Sequence, residues 1–305
     1  MHKKAMLATL AVAAVLALPA CSGADPLSTG AGGNGSAGDT TKIIVGSADF
    51  SESQLLATIY SHALKDAGVD VEEKLNIGSR EVYMQALKDG SINLLPEYNG
   101  YLLGELDPKT TETDRDVIQQ QLKDKLNPEG IEVLDPAEAE NTDVLVVGAD
   151  VAKKHDLVKI SDLAPVADQL VLAGPAEWKT RQIGLPGLEQ VYGLKFKEFK
   201  VLDAGGPLTL SALQNGQAQV GDMFSSDPAI KEGGFVSLVD DKGLFLPANV
   251  LPVIRKEVAS DKVKKVLDQI SAALTTTDLM TMNGRIADGD DIQTIADDWI
   301  AKHIK

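Results

Sequence analysis

The sequence predicts an α/β fold of two similar lobes around a central cleft, and two observations support this prediction. Short β-branched runs alternate with segments of helical periodicity from residue 42 onward, as in α/β proteins. In addition, residues 86–94 and 212–220 both have the pattern of a helix, a glycine stop and a strand, at an offset of 126 residues. The alternative to such a repeat is a coincidence among common helix–glycine–strand sequences.

An aromatic residue ends this unit in both halves of the chain. Tyr98 falls in register with Phe224, and Asn99 with Ser225. Ligands of open α/β sheets bind outside the carboxyl ends of the strands. We therefore expect Tyr98 and Phe224 on opposite walls of one cleft. The alternative for either ring is a place in a hydrophobic core.

The first strand and helix after residue 41 are predicted from periodicity and capping signals. A β-branched strand over 42–46 leads through the loop 47–50 into a helix, whose first residues 51–54 (Ser-Glu-Ser-Gln) have capping-box spacing. Apolar residues recur with helical period to Ala67, and Gly68 ends the helix. We expect further strands at 70–75, 131–134, 143–148, 169–173, 197–202, 217–222, 235–239 and 249–254. We expect further helices at 80–88, 112–126, 186–192, 207–214, 257–274 and 291–303, the last with Trp299 and Ile300 in the core.

The N-terminal residues predict export and a lipid anchor. Two lysines precede an uncharged apolar run over 5–20, which is shorter than the roughly 20 residues of a spanning helix, so 1–20 is typical of a signal peptide. Cys21, the only cysteine, follows Leu-Pro-Ala as in a bacterial lipobox, which implies its lipidation; a chance thiol is the alternative. Residues 21–41 then form a flexible tether rich in glycine and serine.

Composition limits the possible partners of the chain. The formal net charge is −16, which disfavours nucleic acid and anionic lipid surfaces, because phosphate contacts need Lys and Arg. An acidic balance mildly favours a cationic ligand, although a solvated acidic surface explains it equally well. No feature of the sequence predicts an oligomer.

The sequence indicates a protein that is not an enzyme. It contains no Walker-type phosphate loop and no Gly-x-Ser-x-Gly elbow. The four histidines, at positions 2, 62, 155 and 303, lack the spacing of metal ligands. We expect no metal and no cofactor.

Three blocks of residues resemble one family. They are 77–84 with 86–90 and 95–100, then 184–189 with 192–196, and finally 224–227. Together they are similar to the glycine betaine/choline/proline binding proteins of osmoprotectant ABC importers, over about residues 42–303. The resemblance implies an extracytoplasmic substrate-binding lipoprotein, attached by its lipid to the bacterial cell membrane, that delivers a small molecule to an ABC permease and its ATPase. A monomer is the expected state for a binding protein of this kind.

The same resemblance implies a type II periplasmic-binding-protein fold, whose two lobes close over the ligand. The chain then crosses between the lobes near 141–142 and near 246–249. Lobe 1 comprises 42–142 plus 247–305, and lobe 2 comprises 143–246.

In this family a quaternary ammonium group lies in a box of aromatic rings, and a carboxylate tail is held by cationic side chains. Tyr98 keeps one ring and Phe224 replaces a common Tyr, whereas Asp143 stands where another Tyr is common. Ala48 stands where a Lys is common, and Thr209 lies where an Arg-Tyr pair is common. These differences predict a thin aromatic box and no cation for a carboxylate. They favour a choline-type ligand whose charge Asp143 balances.

Two alternatives to this function stay open at the sequence level. One is the same transport role with an uncharged polyhydroxylated or aromatic ligand, stacked on Tyr98 and Phe224. The other is a sensor or scaffold lipoprotein with no transport partner. Arg80 is expected to hold local loop structure or to form a salt bridge and not to contact the ligand, and Tyr83 and Asp143 have purely structural alternatives. The predicted ligand-binding residues are Asp49, Phe50, Tyr83, Tyr98, Asn99, Asp143, Thr209, Phe224, Ser225 and Asp227.

Overall fold

The structure is a computed structural model that describes residues 42–304. The predicted signal peptide, the predicted lipidation at Cys21 and the predicted tether lie outside the described residues. Within the described residues, no helix is both long enough and apolar enough to cross a membrane.

The described part of the chain forms ten strands in two five-stranded sheets. The strands are β1 (Ile43–Gly46), β2 (Val71–Lys74), β3 (Leu94–Tyr98), β4 (Ile131–Val133), β5 (Asp143–Gly148), β6 (Val171–Gly174), β7 (Glu198–Val201), β8 (Val220–Phe224), β9 (Phe235–Ser237) and β10 (Val250–Arg255). The first sheet has the order β2-β1-β3-β10-β4, and the second has the order β7-β6-β8-β5-β9. In each sheet the fourth strand runs antiparallel to both of its neighbours. This confirms the predicted α/β architecture.

The two sheets are built on one plan, which confirms the internal repeat. Strand β3 is the central strand of the first sheet and β8 is the central strand of the second. Their first residues, Leu94 and Val220, and their last residues, Tyr98 and Phe224, are each separated by the offset of 126 residues found in the sequence. Each aromatic residue therefore stands at the carboxyl end of a central strand.

Eleven α-helices accompany these strands in the described residues. They are α1 (Ser51–Asp66), α2 (Arg80–Asp89), α3 (Asn99–Leu106), α4 (Arg115–Leu126), α5 (Ala149–His155), α6 (Leu185–Tyr192), α7 (Pro207–Gln214), α8 (Ala229–Glu232), α9 (Asp261–Ala273), α10 (Thr276–Ala287) and α11 (Ile292–His303). Helices α1, α9, α10 and α11 cover one face of the first sheet, and α2, α3 and α4 cover the other. Because both faces are covered, neighbouring strand residues such as Leu94 and Leu95 enter different cores.

Several predicted boundaries are corrected by capping residues. Helix α1 begins at Ser51 with Phe50 as its cap, so the predicted capping box is wrong; the hydroxyl of Ser53 instead accepts a hydrogen bond from the backbone N–H of Ala48 at 2.9 Å. Helix α4 begins at Arg115, because Asp114 accepts hydrogen bonds from the first turn. The segment predicted as one helix over 257–274 is a short 3-10 turn followed by α9.

The C-terminal helix behaves as predicted. Trp299 and Ile300 of α11 are 5% and 6% exposed and belong to the core that α1 shares with the first sheet. Gly68, with φ of +74°, lies just beyond the end of α1, as expected for a glycine stop. Helices α3, α5, α8 and α10 are absent from the predictions, since segments that are short or lack a clear apolar period give no helical signal.

Two chain segments run side by side where the polypeptide passes between the sheets. The backbone N–H of Asn141 donates to the carbonyl of Ala248 at 3.0 Å, and Glu140 forms an isolated bridge with Asn249. The first segment leads from β4 into β5, and the second leads from β9 into β10. The residues that follow β3 and β8 bond to these segments, Asn99 to Asn249 and Ser225 to Thr142, so the carboxyl ends of the two strands lie near one another.

Candidate functional site

One cavity lies where the two sheets meet. Its walls come from the β1–α1 loop, the start of α2, the end of β3 and α3 on the side of the first sheet. The second sheet contributes the start of β5, the segment 175–183 and the end of β8. The enclosed space is small, about 70 Å³, because side chains from the two sides touch across it.

Aromatic rings form most of the apolar wall of this cavity. The six rings belong to Phe50, Tyr83, Tyr98, Tyr101, Trp178 and Phe224. The Phe50 ring lies between the predicted pair, with centroid distances of 5.3 Å to Phe224 and 6.2 Å to Tyr98. The expectation of a thin aromatic box is therefore wrong, since six of the thirteen aromatic residues in the sequence surround one cavity.

Tyr98 is fixed by a buried carboxyl group. Its hydroxyl donates to Oε1 of Glu52 at 2.5 Å, and Asn141 donates to the same oxygen at 2.8 Å. The other oxygen of Glu52 accepts from Ser226 at 2.8 Å and from Asn283 at 2.6 Å. Glu52 is 4% exposed, so these four bonds join α1, β3, the first crossing segment, the end of β8 and α10 in a buried polar cluster.

A second buried cluster holds Tyr83. The guanidinium of Arg80 donates to both carboxylate oxygens of Glu97, at 2.7 and 3.0 Å. The Tyr83 hydroxyl donates to Oε1 of Glu97 at 2.7 Å, and the Tyr98 backbone N–H donates to Oε2 at 2.7 Å. The expectation of a salt bridge at Arg80 is confirmed, and the same side chain also lines the cavity.

An ion pair crosses the cleft beside the cavity. Arg181, from the second-sheet side, donates from Nε and Nη2 to the two carboxylate oxygens of Glu81 on α2, at 3.0 and 2.9 Å. Burial opposes the ionisation of Glu81, but hydrogen bonds from Arg181 and Ser79 outweigh it and lower the pKa of Glu81 to about 2. We call this contact the Glu81–Arg181 latch. Arg181 also lines the cavity wall, but its guanidinium group is held by Glu81. The expectation that no cation is available for a ligand carboxylate stays a prediction.

Two buried acids face the cavity from neighbouring strands of the second sheet. Asp143 is 5% exposed and Asp222 is fully buried. Burial raises the pKa of Asp143, and this effect exceeds the opposite effect of hydrogen bonding with Tyr101, which lowers the pKa. Burial, followed by the charge of Asp143, raises the pKa of Asp222 well above its ordinary value. A third acid of the cavity wall, Asp49, has its side chain exposed at the rim.

The structure brings six of the ten predicted ligand-binding residues to this cavity. They are Asp49, Phe50, Tyr83, Tyr98, Asp143 and Phe224. Their contact with a ligand stays a prediction.

The other four predicted residues are engaged elsewhere and do not line this cavity. The side chain of Asn99 accepts from the backbone N–H groups of Gly100 and Asn249, and the Thr209 hydroxyl donates to Asp203. The Ser225 hydroxyl accepts from the Thr142 backbone N–H at 3.0 Å, and Asp227 accepts from the Ala229 N–H at 2.8 Å. Ligand contact by these four also stays a prediction.

Sequence reasoning missed Tyr101, Trp178, Arg181 and Asp222 as site residues. Tyr101 lies on α3, which was not predicted, and Trp178 and Arg181 lie in a segment of short turns between β6 and α6. Asp222 did carry a signal, because a carboxyl group in the buried strand Val-Gly-Asp-Met-Phe is expensive to bury unless it has a function or a partner.

This architecture defines the class of protein. Two α/β lobes joined by two crossing segments converge on one small cavity with aromatic walls and a few polar groups, which is the form of a solute-binding protein. Residues 41–302 match the family described as the substrate binding domain of ABC-type glycine betaine transport systems, and the chain belongs to this family. It is therefore an extracytoplasmic substrate-binding protein of an ABC-type transport system.

Individual relatives agree with this assignment. The glycine betaine-binding protein YehZ of Escherichia coli K12 is 28% identical over 280 residues, which cover 85% of this chain and 89% of YehZ. The carnitine transport binding protein OpuCC of Listeria monocytogenes is 27% identical over 258 residues, 82% of each chain. The fold is also that of a crystal structure described as a glycine betaine/carnitine/choline ABC transporter, which superposes with a TM-score of 0.66 at 24% identity and covers 86% of this chain and 98% of the other.

Proposed function

We propose that this protein binds a small quaternary ammonium compound of the choline type in the aromatic cavity and delivers it to an ABC importer. The observation that carries the proposal is the meeting of six aromatic rings with buried carboxyl groups around one cavity. It captures its ligand without catalysing a reaction.

The rings supply the attraction for the cation. A quaternary ammonium group has no N–H with which to form strong hydrogen bonds, so its charge is best stabilised by the faces of aromatic rings. Each such contact contributes about 0.5–2 kcal/mol, depending on desolvation. Phe50 and Phe224 touch across the cavity, so a ligand that lies between them has to part these two rings.

The charges around the cavity favour a cation that lacks a carboxylate. Four acidic side chains line the wall, and only two guanidinium groups accompany them. Arg80 is already bound by Glu97 and Arg181 by Glu81, each through two hydrogen bonds. A ligand carboxylate would have to compete with these partners, whereas an ammonium group meets the acids Asp143 and Asp222.

The proposed lobes place the two sides of the site on separate bodies. Lobe 1 comprises 42–142 plus 247–305, and lobe 2 comprises 143–246. Phe50, Tyr83 and Tyr98 then belong to lobe 1, and Trp178 and Phe224 belong to lobe 2. A ligand that touches both sets of rings stabilises the closed arrangement, which is the form presented to the permease and its ATPase.

The mode of attachment to the cell is part of the proposal. We propose that residues 1–20 are removed as a signal peptide, that Cys21 is lipidated and that residues 22–41 tether a monomeric body to the outer face of the cell membrane. The lipobox-like Leu-Pro-Ala-Cys sequence supports this. Replacing Cys21 by Ser should move the protein from the membrane fraction to the soluble fraction. Retention in the membrane fraction would contradict the anchor.

A thermal-shift screen of the purified protein tests the ligand class. Choline, glycine betaine, carnitine, proline, sugars and plant phenolics are compared at equal concentration. A ligand that binds only the folded state stabilises it by about 2.7 kcal/mol at a hundredfold excess over its dissociation constant. We expect the largest shift with choline. A shift with uncharged hydroxylated compounds and none with quaternary amines would show that the fold is retained for a different ligand.

A further inference from the structure

The two buried acids of the cavity are placed together by the register of the second sheet. Strands β5 and β8 are antiparallel, with Asp143 opposite Phe224 and Leu145 opposite Asp222. Asp143 and Asp222 are therefore diagonal neighbours on the same face of the sheet, within reach of each other's side chains. The cavity in front of them is the one that holds the aromatic rings.

Asp222 has no hydrogen-bond donor in the described part of the chain. The residue is 0% exposed, and neither of its buried carboxyl oxygens has a hydrogen-bond partner. A buried polar group without a partner costs about 1–3 kcal/mol, and more when it is charged. The neighbouring Asp143 offers only acceptor oxygens unless one of the two carboxyl groups carries a proton.

The surrounding charged groups do not neutralise the pair. The titratable or charged groups that face it are Tyr101 of α3, Arg80 of α2 and Arg181 of the 175–183 segment. Tyr101 accepts a hydrogen bond from the backbone N–H of Asp143 at 2.7 Å. The two guanidinium groups are held by Glu97 and Glu81. No histidine of the described residues lines the cavity.

We infer that Asp143 and Asp222 share a single proton in the ligand-free cavity and that a bound cation displaces this proton. One proton between the carboxyl groups supplies the donor that Asp222 lacks. When the ammonium charge enters, it stabilises the second carboxylate, and the proton leaves to solvent. This inference rests on the proposed function, since it requires a cationic ligand.

The exchange of a proton for a cation couples affinity to pH. At a pH where the free pair holds its proton, each ligand bound releases up to one proton. The apparent affinity then rises by up to about tenfold for each unit of pH increase, and becomes constant once the pair is ionised without ligand. Asp143 and Asp222 therefore favour release of the ligand when the surroundings become acidic. The latch cannot produce this effect, because the pKa of Glu81 is about 2.

Two measurements on the purified protein test the inference. The first is infrared difference spectroscopy of the ligand-free protein at neutral pH, which detects the C=O stretch of a protonated carboxyl; we expect a band that is lost in Asp222→Asn. The second is calorimetry with choline in buffers of different ionisation enthalpy. We expect proton release in the wild type and none in Asp222→Asn, whose affinity then changes less than twofold between about pH 5 and pH 8.

The outcomes separate this inference from the proposed function. Absence of the carboxyl band overturns the inference whatever the ligand is. Choline binding with no proton release and no pH dependence also overturns it, and leaves the proposed function standing. A band without binding of choline, glycine betaine or carnitine contradicts the proposed function and supports the shared proton. If Asp222→Asn fails to fold, Asp143→Asn replaces it in the infrared comparison, and the wild-type calorimetry still decides.

Discussion

At the residue scale, Glu52 shows how one buried side chain organises the site. It accepts four hydrogen bonds, from Tyr98, Asn141, Ser226 and Asn283, although it lies on the first turn of α1 and is 4% exposed. The sequence gives no sign of this role. In the sequence Glu52 reads as an ordinary acidic residue of a helix start, where carboxylates are favoured.

Replacing Glu52 by Gln should destabilise the protein by about 2–4 kcal/mol. The glutamine amide nitrogen is itself a donor, so the groups that donate to that carboxylate oxygen lose their acceptor. Urea unfolding measures the change. Asp66→Asn on the same helix is the matched control, since Asp66 is exposed, and it should change stability by less than about 0.5 kcal/mol. Equal stability of both variants would refute the role assigned to Glu52.

At the element scale, sequence reasoning found the repeat but not all of the cavity. Strands β3 and β8 were predictable because each combines a helix, a glycine stop and an aromatic end at a fixed offset. The placement of Tyr98 and Phe224 at one cavity followed from this. Trp178 and Arg181 were not predictable, because they lie in short turns whose conformation is set by packing and not by a local pattern.

The packing of α3 against the second crossing segment leads to a stability prediction. A Cβ atom on Gly100 would lie 2.2 Å from the carbonyl oxygen of Pro247, a backbone atom that cannot move freely. Gly100→Ala should therefore destabilise the protein by about 1–3 kcal/mol. Thermal or urea unfolding provides the measurement.

Gly104→Ala is the control for this prediction, since it lies on the same helix. Its new Cβ would make an ordinary contact of 3.5 Å with Leu246, and alanine favours a helix by up to about 1 kcal/mol over glycine. Gly104→Ala should be neutral or stabilising. A Gly100→Ala variant as stable as Gly104→Ala would contradict the close approach.

At the scale of the whole molecule, several side-chain contacts hold the two sides of the cleft together. The Phe50–Phe224 ring contact and the Glu81–Arg181 latch are two of them. Within residues 42–304 the proposed lobes are linked covalently only through the two crossing segments, so closure depends on such contacts and on the ligand. The loss of one contact between the two sides of the cleft is therefore expected to change ligand affinity.

Removing the latch should weaken ligand binding modestly. The Glu81 side chain is 43% exposed, so Glu81→Gln should reduce choline affinity by about 1.4- to 5-fold, as expected for an exposed ion pair. Calorimetry measures the change. The folded pKa of Glu81 is depressed to about 2, so the contribution of the latch is complete above the ordinary Glu range and is lost as the pH falls toward about 2.

Glu105→Gln is the control for the latch, because Glu105 has no ion-pair partner within 4 Å in the described residues. The Glu105→Gln variant should bind choline with the same affinity as the wild type. A loss in Glu105→Gln as large as that in Glu81→Gln would assign the effect to net charge and not to the latch.

The most direct measurement of the central claim is the calorimetric affinity for choline of the wild type, Phe224→Ala and Phe224→Tyr. We predict that the wild type binds choline, that Phe224→Ala binds it about 2- to 30-fold more weakly through the loss of one cation–π contact, and that Phe224→Tyr retains affinity. No binding of choline by the wild type, or equal affinity in Phe224→Ala, would contradict a cation site formed by the aromatic cavity.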